Sequence, residues 1–181
     1  EGLEVEVLQR VVDAMQAAAR DAGVPIVTGD TKVVERGSCD KLFINTAGVG
    51  VIRDGVNIDG SSARPGDAIL LSGRIGEHGI AVMSERRGVR FTTPVVTDSK
   101  PLHRLVQSVL GVSTDIHVMR DPTRGGLGAT LNEIAAQSQV GIDIDEELLP
   151  ITPEVQGACD LLGLDALYLA NEGALVAFVP A

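Results

Sequence analysis

The segment IHVMRDPTRGGLGATLNEIAAQ, residues 116–137, changes its hydrophobic period part-way along. Ile116 to Met119 is a short apolar run ending at Arg120 and Asp121, which reads as a strand. From Leu127 the apolar positions recur as Leu127, Leu131, Ile134 and Ala135, the spacing of one helix face. Between the two periods lie Asp121, Pro122, Thr123, Arg124 and the pair Gly125 and Gly126. An acid there can hold a divalent cation, and an arginine can neutralise phosphate. Glycine lets backbone approach closely, and the start of a helix favours an anion. Asp121 could also serve as a helix cap and nothing more. A cap needs neither Arg124 nor two adjacent glycines, which cost a helix about 1 kcal/mol each.

Outward from this segment, strand and helix patterns keep alternating. Toward the N-terminus, Ala68–Ser72 reads as a buried strand, and 76–87 and 101–111 read as helices. Residues 53–67 are turn-rich, with Asp54-Gly55, Asp59-Gly60 and Pro65-Gly66-Asp67. Leu42–Val51 suits a long strand broken by Gly48 and Gly50. Leu8, Val11, Val12, Met15, Ala18, Ala19 and Ala22 predict an amphipathic helix over 3–22, closed by Gly23. Pro25–Val27 and Val33–Val34 read as short strands, and Glu35–Lys41 as a linker. Toward the C-terminus, Val140–Ile144 alternates like a strand, and Pro153 opens a helix reaching about Leu162. Leu167–Ala170 and Ala174–Val179 resemble two strands. The alternation places the chain in the α/β or α+β class.

Composition narrows the function. The formal net charge of -10 argues against nonspecific binding to nucleic acid or an anionic membrane, since both need basic surface. A phosphate ligand stays open, because a few local bases and a metal suffice for it. Aromatic residues are only 2% of the chain, so base stacking is not expected. No apolar run approaches the roughly 20 residues of a membrane span. Cys39 and Cys159 lack CxxC spacing or a nearby histidine pair, which speaks against zinc and for two reduced cytoplasmic thiols.

A second loop has the same ingredients as the first. Val27-Thr28-Gly29-Asp30-Thr31-Lys32 follows an apolar run, and in an extended backbone Asp30 and Lys32 point to one face. The bland alternative is a surface ion pair, worth about 0–1 kcal/mol. Glu172, in Asn171-Glu172-Gly173, reads from spacing alone as a solvated acid in a turn. His78, His103 and His117 have no partner at ligand spacing and read as structural or surface residues. Gly73-Arg74-Ile75-Gly76 lacks both common phosphate-loop spacings, so it reads as a strand–helix turn.

Taken together, VTGDTKVV (27–34), LFINTAGVG (42–50), DAILLSGRIGEHG (67–79), DPTRGGLGATLNEI (121–134) and ANEG (170–173) resemble the HypE family of hydrogenase-maturation proteins. That family sits within the ATP-binding superfamily of aminoimidazole ribonucleotide synthetase and selenophosphate synthetase. The resemblance runs over essentially the whole chain. It implies an α+β fold: a PurM-like C-terminal domain over 42–181 with a mixed sheet covered by helices, truncated at its C-terminus. Residues 1–36 would be the last helix and strand of an N-terminal ATP-binding domain.

The resemblance also implies chemistry. HypE-like proteins receive a carbamoyl group on a C-terminal cysteine from a HypF-like carbamoyltransferase. They use ATP and Mg²⁺ to dehydrate it to a thiocyanate, a cyanide source for a HypC–HypD-like acceptor complex. By this resemblance Asp30 and Asp121 hold the metal, and Thr31, Thr123, Arg124, Gly125 and Gly126 shape the nucleotide site. Lys32 faces the phosphates or the carbamoyl oxygen, and Glu172 is the candidate base. The full-length family members are homodimers. Glu1 begins inside a helical pattern and Ala181 follows an apolar strand, so the chain is expected to be a piece of a longer one, inactive alone. Two alternatives are another synthetase of the superfamily and, for the piece itself, a noncatalytic docking domain.

Overall fold

The structure is a computed structural model that describes residues 1–181. The chain divides into two compact units, Glu1–Ile52 and Arg53–Ala181. Residues 42–52 therefore lie in the first unit rather than opening the second. The charged stretch read as a linker is a local turn, with Ser38 N–H donating to the Glu35 carbonyl and Lys41 N–H to that of Cys39.

In the first unit the only regular element is α1 (Val5–Ala22). Gly23 ends it in the left-handed region at φ 67°, and the N–H of Val24 reaches back to the Ala19 carbonyl. Val7, Val11, Met15, Ala19 and Ala22 form its half-buried stripe. Pro25–Val27, Val33–Val34 and Leu42–Val51 form no strand. A strand exists only by pairing its backbone. These runs find no ladder partner here, and Val27, Phe43, Val49 and Val51 stay exposed.

The second unit is built around a three-stranded sheet. β1 (Asp67–Leu71), β2 (Val118–Arg120) and β3 (Val176–Pro180) lie in the order β1-β3-β2. Both pairings are antiparallel, with Ile69 and Val118 each opposite Phe178. The mixed sheet expected from the resemblance is thus antiparallel within this chain. Central β3 is apolar throughout because helices lie over both of its faces. On one face Val176, Phe178 and Val118 join the main core of Ile75, Ile80, Leu127, Leu131, Ile134, Val155 and Leu169. That core draws on α2 (Glu77–Arg87), α4 (Gly126–Ser138) and α5 (Pro153–Leu162). On the other, Leu175 and Ala177 pack with Leu102, Val106, Val109 and Leu110 around α3 (His103–Val112). Each large side chain so buried contributes roughly 1.5–3 kcal/mol. The fold class is α+β.

Two further expected strands are replaced. Leu167–Ala170 becomes a 3₁₀ turn, Ala166–Tyr168, because the Asp165 side chain accepts the N–H of Leu167 and starts a helical turn. Val140–Ile144 forms no strand. Val140 N–H is still bonded to the Ala135 carbonyl at the end of α4.

A buried His117–Asp67 hydrogen bond ties the start of β1 to the residue before β2. His117, 6% exposed, places Nδ1 2.8 Å from Asp67 Oδ2. Burial raises the Asp67 pKa, but the His117 hydrogen bond and charge and the Arg64 N–H outweigh it, leaving the carboxyl below its ordinary range. Asp67 therefore stabilises the fold while ionised, above the pKa it has unfolded. That stability drains away as pH falls through its lowered folded value. Acid unfolding of Asp67→Ala should lose the part of the pH dependence below about pH 4, with a stability loss near neutrality of about 3 kcal/mol. An unchanged pH profile would mean that the pair is incidental.

Candidate active site around Asn171

Asn171 is fully buried and joins three loops. Its Nδ2 donates to the carbonyls of Pro122 (2.9 Å) and Leu169 (3.1 Å). Its Oδ1 accepts the N–H of Gly76 at 2.8 Å, and its own N–H donates to Pro122. One side chain thus ties the loop after β2, the loop before β3 and the start of α2. Gly79 N–H, bonded to the Ala170 carbonyl, adds a further stitch.

The loop after β2 enters α4 through glycine. Gly125 and Gly126 both have positive φ, 78° and 67°, and α4 has no side-chain cap. Asp121 is therefore exposed and not a cap. Pro122 is buried, Thr123 half-buried with its carbonyl accepting Gly126 N–H, and Arg124 exposed. The close approach expected of the glycine pair is found at Gly126, where an added Cβ would collide with the Leu167 and Leu169 carbonyls.

Across this junction Glu172 is exposed, one residue from Asn171, as Asp121 is one residue from Pro122. The hydrogen bonds of Asn171 therefore bring Asp121–Gly126 and Asn171–Gly173 together, although 45 or more residues separate them in the chain. Asp30, Thr31 and Lys32 belong to the first unit and are exposed. Asp30 Oδ1 accepts the N–H of Thr31 at 2.9 Å, and no ion pair joins Asp30 to Lys32. No group of three or more His, Cys, Asp or Glu side chains is arranged to hold a metal ion. The Gly73–Gly76 turn holds its amides inward, Ile75 N–H on the Pro150 carbonyl and Gly76 N–H on Asn171, so it is a strand–helix turn.

Sequence reasoning missed two contributors. Asn171 read as a turn residue, and only the buried tertiary hydrogen bonds reveal its work. Asp98 carried no signal at all. Its carboxylate accepts the N–H groups of Glu172 (3.1 Å) and Gly173 (2.9 Å).

These loops can be placed among known proteins. Residues 64–181 match the C-terminal domain model of AIR synthase related proteins, and residues 1–52 match the N-terminal domain model. The chain belongs to the AIR synthase-related family. The carbamoyl dehydratase HypE of Cupriavidus necator is 58% identical over 181 residues, all of this chain and 52% of that protein. The chain spans about half the length of the curated relatives it matches. A chain in a crystal structure of a HypE–HypF complex is 50% identical, with a TM-score of 0.97 over 99% of this chain and 59% of that one. HypE crystallised in complex with ATP is 49% identical, with a TM-score of 0.87 over 99% of this chain and 54% of that one. The Asn171 junction lies within the residues that match the C-terminal domain model.

Proposed function

We propose that this chain is part of a HypE-type carbamoyl dehydratase in [NiFe]-hydrogenase maturation. The full protein would convert a carbamoylated cysteine to a thiocyanate. The observation that carries this reading is the Asn171 junction, which joins the Asp121–Gly126 loop to the Glu172 turn in a chain so close to HypE throughout.

The chemistry suits these residues. Amide oxygen leaves poorly, and ATP supplies the phosphoryl group that makes it leave. Arg124, exposed beside the start of α4, offers positive charge to phosphate oxygens, and the dipole of α4 points the same way. Asp30 and Asp121 are hard carboxylate donors. Mg²⁺ is usually bound through one or two carboxylates with phosphate oxygens and water, so a larger acidic cluster is not needed. Lys32 is assigned to the phosphates or the carbamoyl oxygen. Glu172, exposed on its turn, is assigned to remove the N–H proton as C≡N forms. Thr31, Thr123, Gly125 and Gly126 shape the nucleotide site. Cys159 is not the modified residue, because it is buried and its thiol is pushed up by burial, then by Asp160 and Asp165. The partners are a HypF-like carbamoyl donor and a HypC–HypD-like acceptor, with the working protein a cytoplasmic homodimer. The C-terminal-domain role is assigned to the second unit, Arg53–Ala181, and the end of the ATP-binding domain to the first, Glu1–Ile52.

Titration of the full protein with ATP tests the metal role of Asp121. With Mg²⁺ present, Asp121→Asn should weaken binding about tenfold, or ~1.4 kcal/mol. An equal loss without Mg²⁺ would remove Asp121 as a metal ligand.

A further inference from the structure

We propose that Asp98 is a positioning residue for Glu172. The inference rests on the reading of Glu172 as the base. Asp98 lies between α2 and α3 in a stretch with no regular structure. Its carboxylate accepts two consecutive amides, Glu172 N–H at 3.1 Å and Gly173 N–H at 2.9 Å. Gly173 is buried against the same segment, and a Cβ there would overlap the Asp98 carbonyl oxygen. The turn is therefore held twice, once by charge-assisted hydrogen bonds and once by close backbone packing.

The segment bearing Asp98 is itself held. Thr97 Oγ1 meets His78 Nδ1 of α2 at 2.9 Å and accepts the N–H of Ser99 at 3.2 Å. Thr97 thus anchors the acid to α2, whose first turn is stitched to Ala170 and Asn171. The path closes on itself: α2 to Thr97, Asp98 to Glu172, Asn171 back to α2. A mobile base would meet its proton only part of the time, whereas this ring fixes the backbone on either side of Glu172.

The choice of an acid is informative. Neither Asp98 nor Glu172 has an ion-pair partner, so the Asp98 carboxylate keeps its full charge for the two amides it accepts. Serine or asparagine could cap the turn with a neutral acceptor. A carboxylate gives hydrogen bonds roughly twice as strong as neutral acceptors do, and it can accept both amides at once. The same two bonds consume the amides, so the phosphate is left to the start of α4.

The test is a double-mutant cycle in the full protein, carbamoylated on its substrate cysteine and followed by ATP consumption and thiocyanate formation. Asp98→Ala should lower kcat about 100-fold while the KM for ATP moves less than roughly threefold, since displacement of a base by an ångström costs that much. Asp98→Asn, which keeps shape and one acceptor, should lose only about tenfold and covers the case in which the alanine variant does not fold. On a Glu172→Gln background, Asp98→Ala should cost less than about twofold more, because the two act as one unit. A wild-type kcat in Asp98→Ala and Asp98→Asn, or full additivity with Glu172→Gln, overturns the positioning role and leaves Glu172 as base. Wild-type kcat in Glu172→Gln instead removes the base itself, and this inference with it.

Discussion

Asn171→Ala is expected to destabilise the second unit by about 4 kcal/mol. The side chain makes three hydrogen bonds, to Gly76 N–H and to the Pro122 and Leu169 carbonyls, and it is fully buried. Truncation leaves one amide and two carbonyls with no water to replace the lost partner, and each such group costs roughly 1–3 kcal/mol. The main-chain bond from Asn171 N–H to Pro122 survives, which keeps the sum below its upper limit. Asn171→Asp separates hydrogen bonding from shape. It keeps the acceptor for Gly76, but turns an oxygen toward two carbonyl oxygens in a buried site. It should therefore be at least as damaging as alanine, despite its nearly identical volume. Chemical denaturation of both variants decides the matter. A loss under 1 kcal/mol for either one would show that the three loops are joined by something other than this side chain.

The same residue explains how much of the site was legible in the sequence. Asp121, Thr123 and Arg124 stood out because acid, hydroxyl and base lie close together, and a strand-to-helix transition can be read from the hydrophobic period. The helices 5–22, 77–87, 103–112, 126–138 and 153–162 agree with the sequence pattern to within a few residues; α1 and α3 are amphipathic over several turns and α5 is opened by proline. Asn171 and Asp98 were not legible. Their roles consist of hydrogen bonds to backbone 49 and 74 residues away, which no local pattern encodes. The strands expected at 25–27, 33–34 and 42–51 failed for a related reason. β-propensity states that a segment fits a sheet, but pairing requires a second backbone at the right register, and here that partner is not found within the chain. The strand expected at Leu167–Ala170 failed differently, because a single Asp165 carboxylate was enough to turn an apolar run into the 3₁₀ helix Ala166–Tyr168.

Gly126→Ala should be among the most damaging single-methyl changes in the second unit. The residue sits at φ 67°, where a side chain costs about 1–2 kcal/mol by itself. The added Cβ would also meet the Leu167 and Leu169 carbonyl oxygens and the Tyr168 carbonyl carbon, all main-chain atoms that cannot rotate away. α4 would have to back off from the 3₁₀ turn, pulling on Leu169, whose carbonyl is also a partner of Asn171. The expected cost is at least 3 kcal/mol, together with weaker ATP binding, since the start of α4 would shift. Gly125→Ala provides the internal comparison. Its φ is 78°, but the added methyl meets only the Ala129 side chain at 2.6 Å. Its cost should exceed the conformational cost of about 1–2 kcal/mol, because the Ala129 methyl cannot rotate away, but stay below that of Gly126→Ala, which meets three main-chain atoms. If the two substitutions destabilise equally, the glycine pair is there for its backbone angles. If Gly126→Ala alone collapses binding and stability together, the pair exists to seat α4 on the turn that carries Asn171.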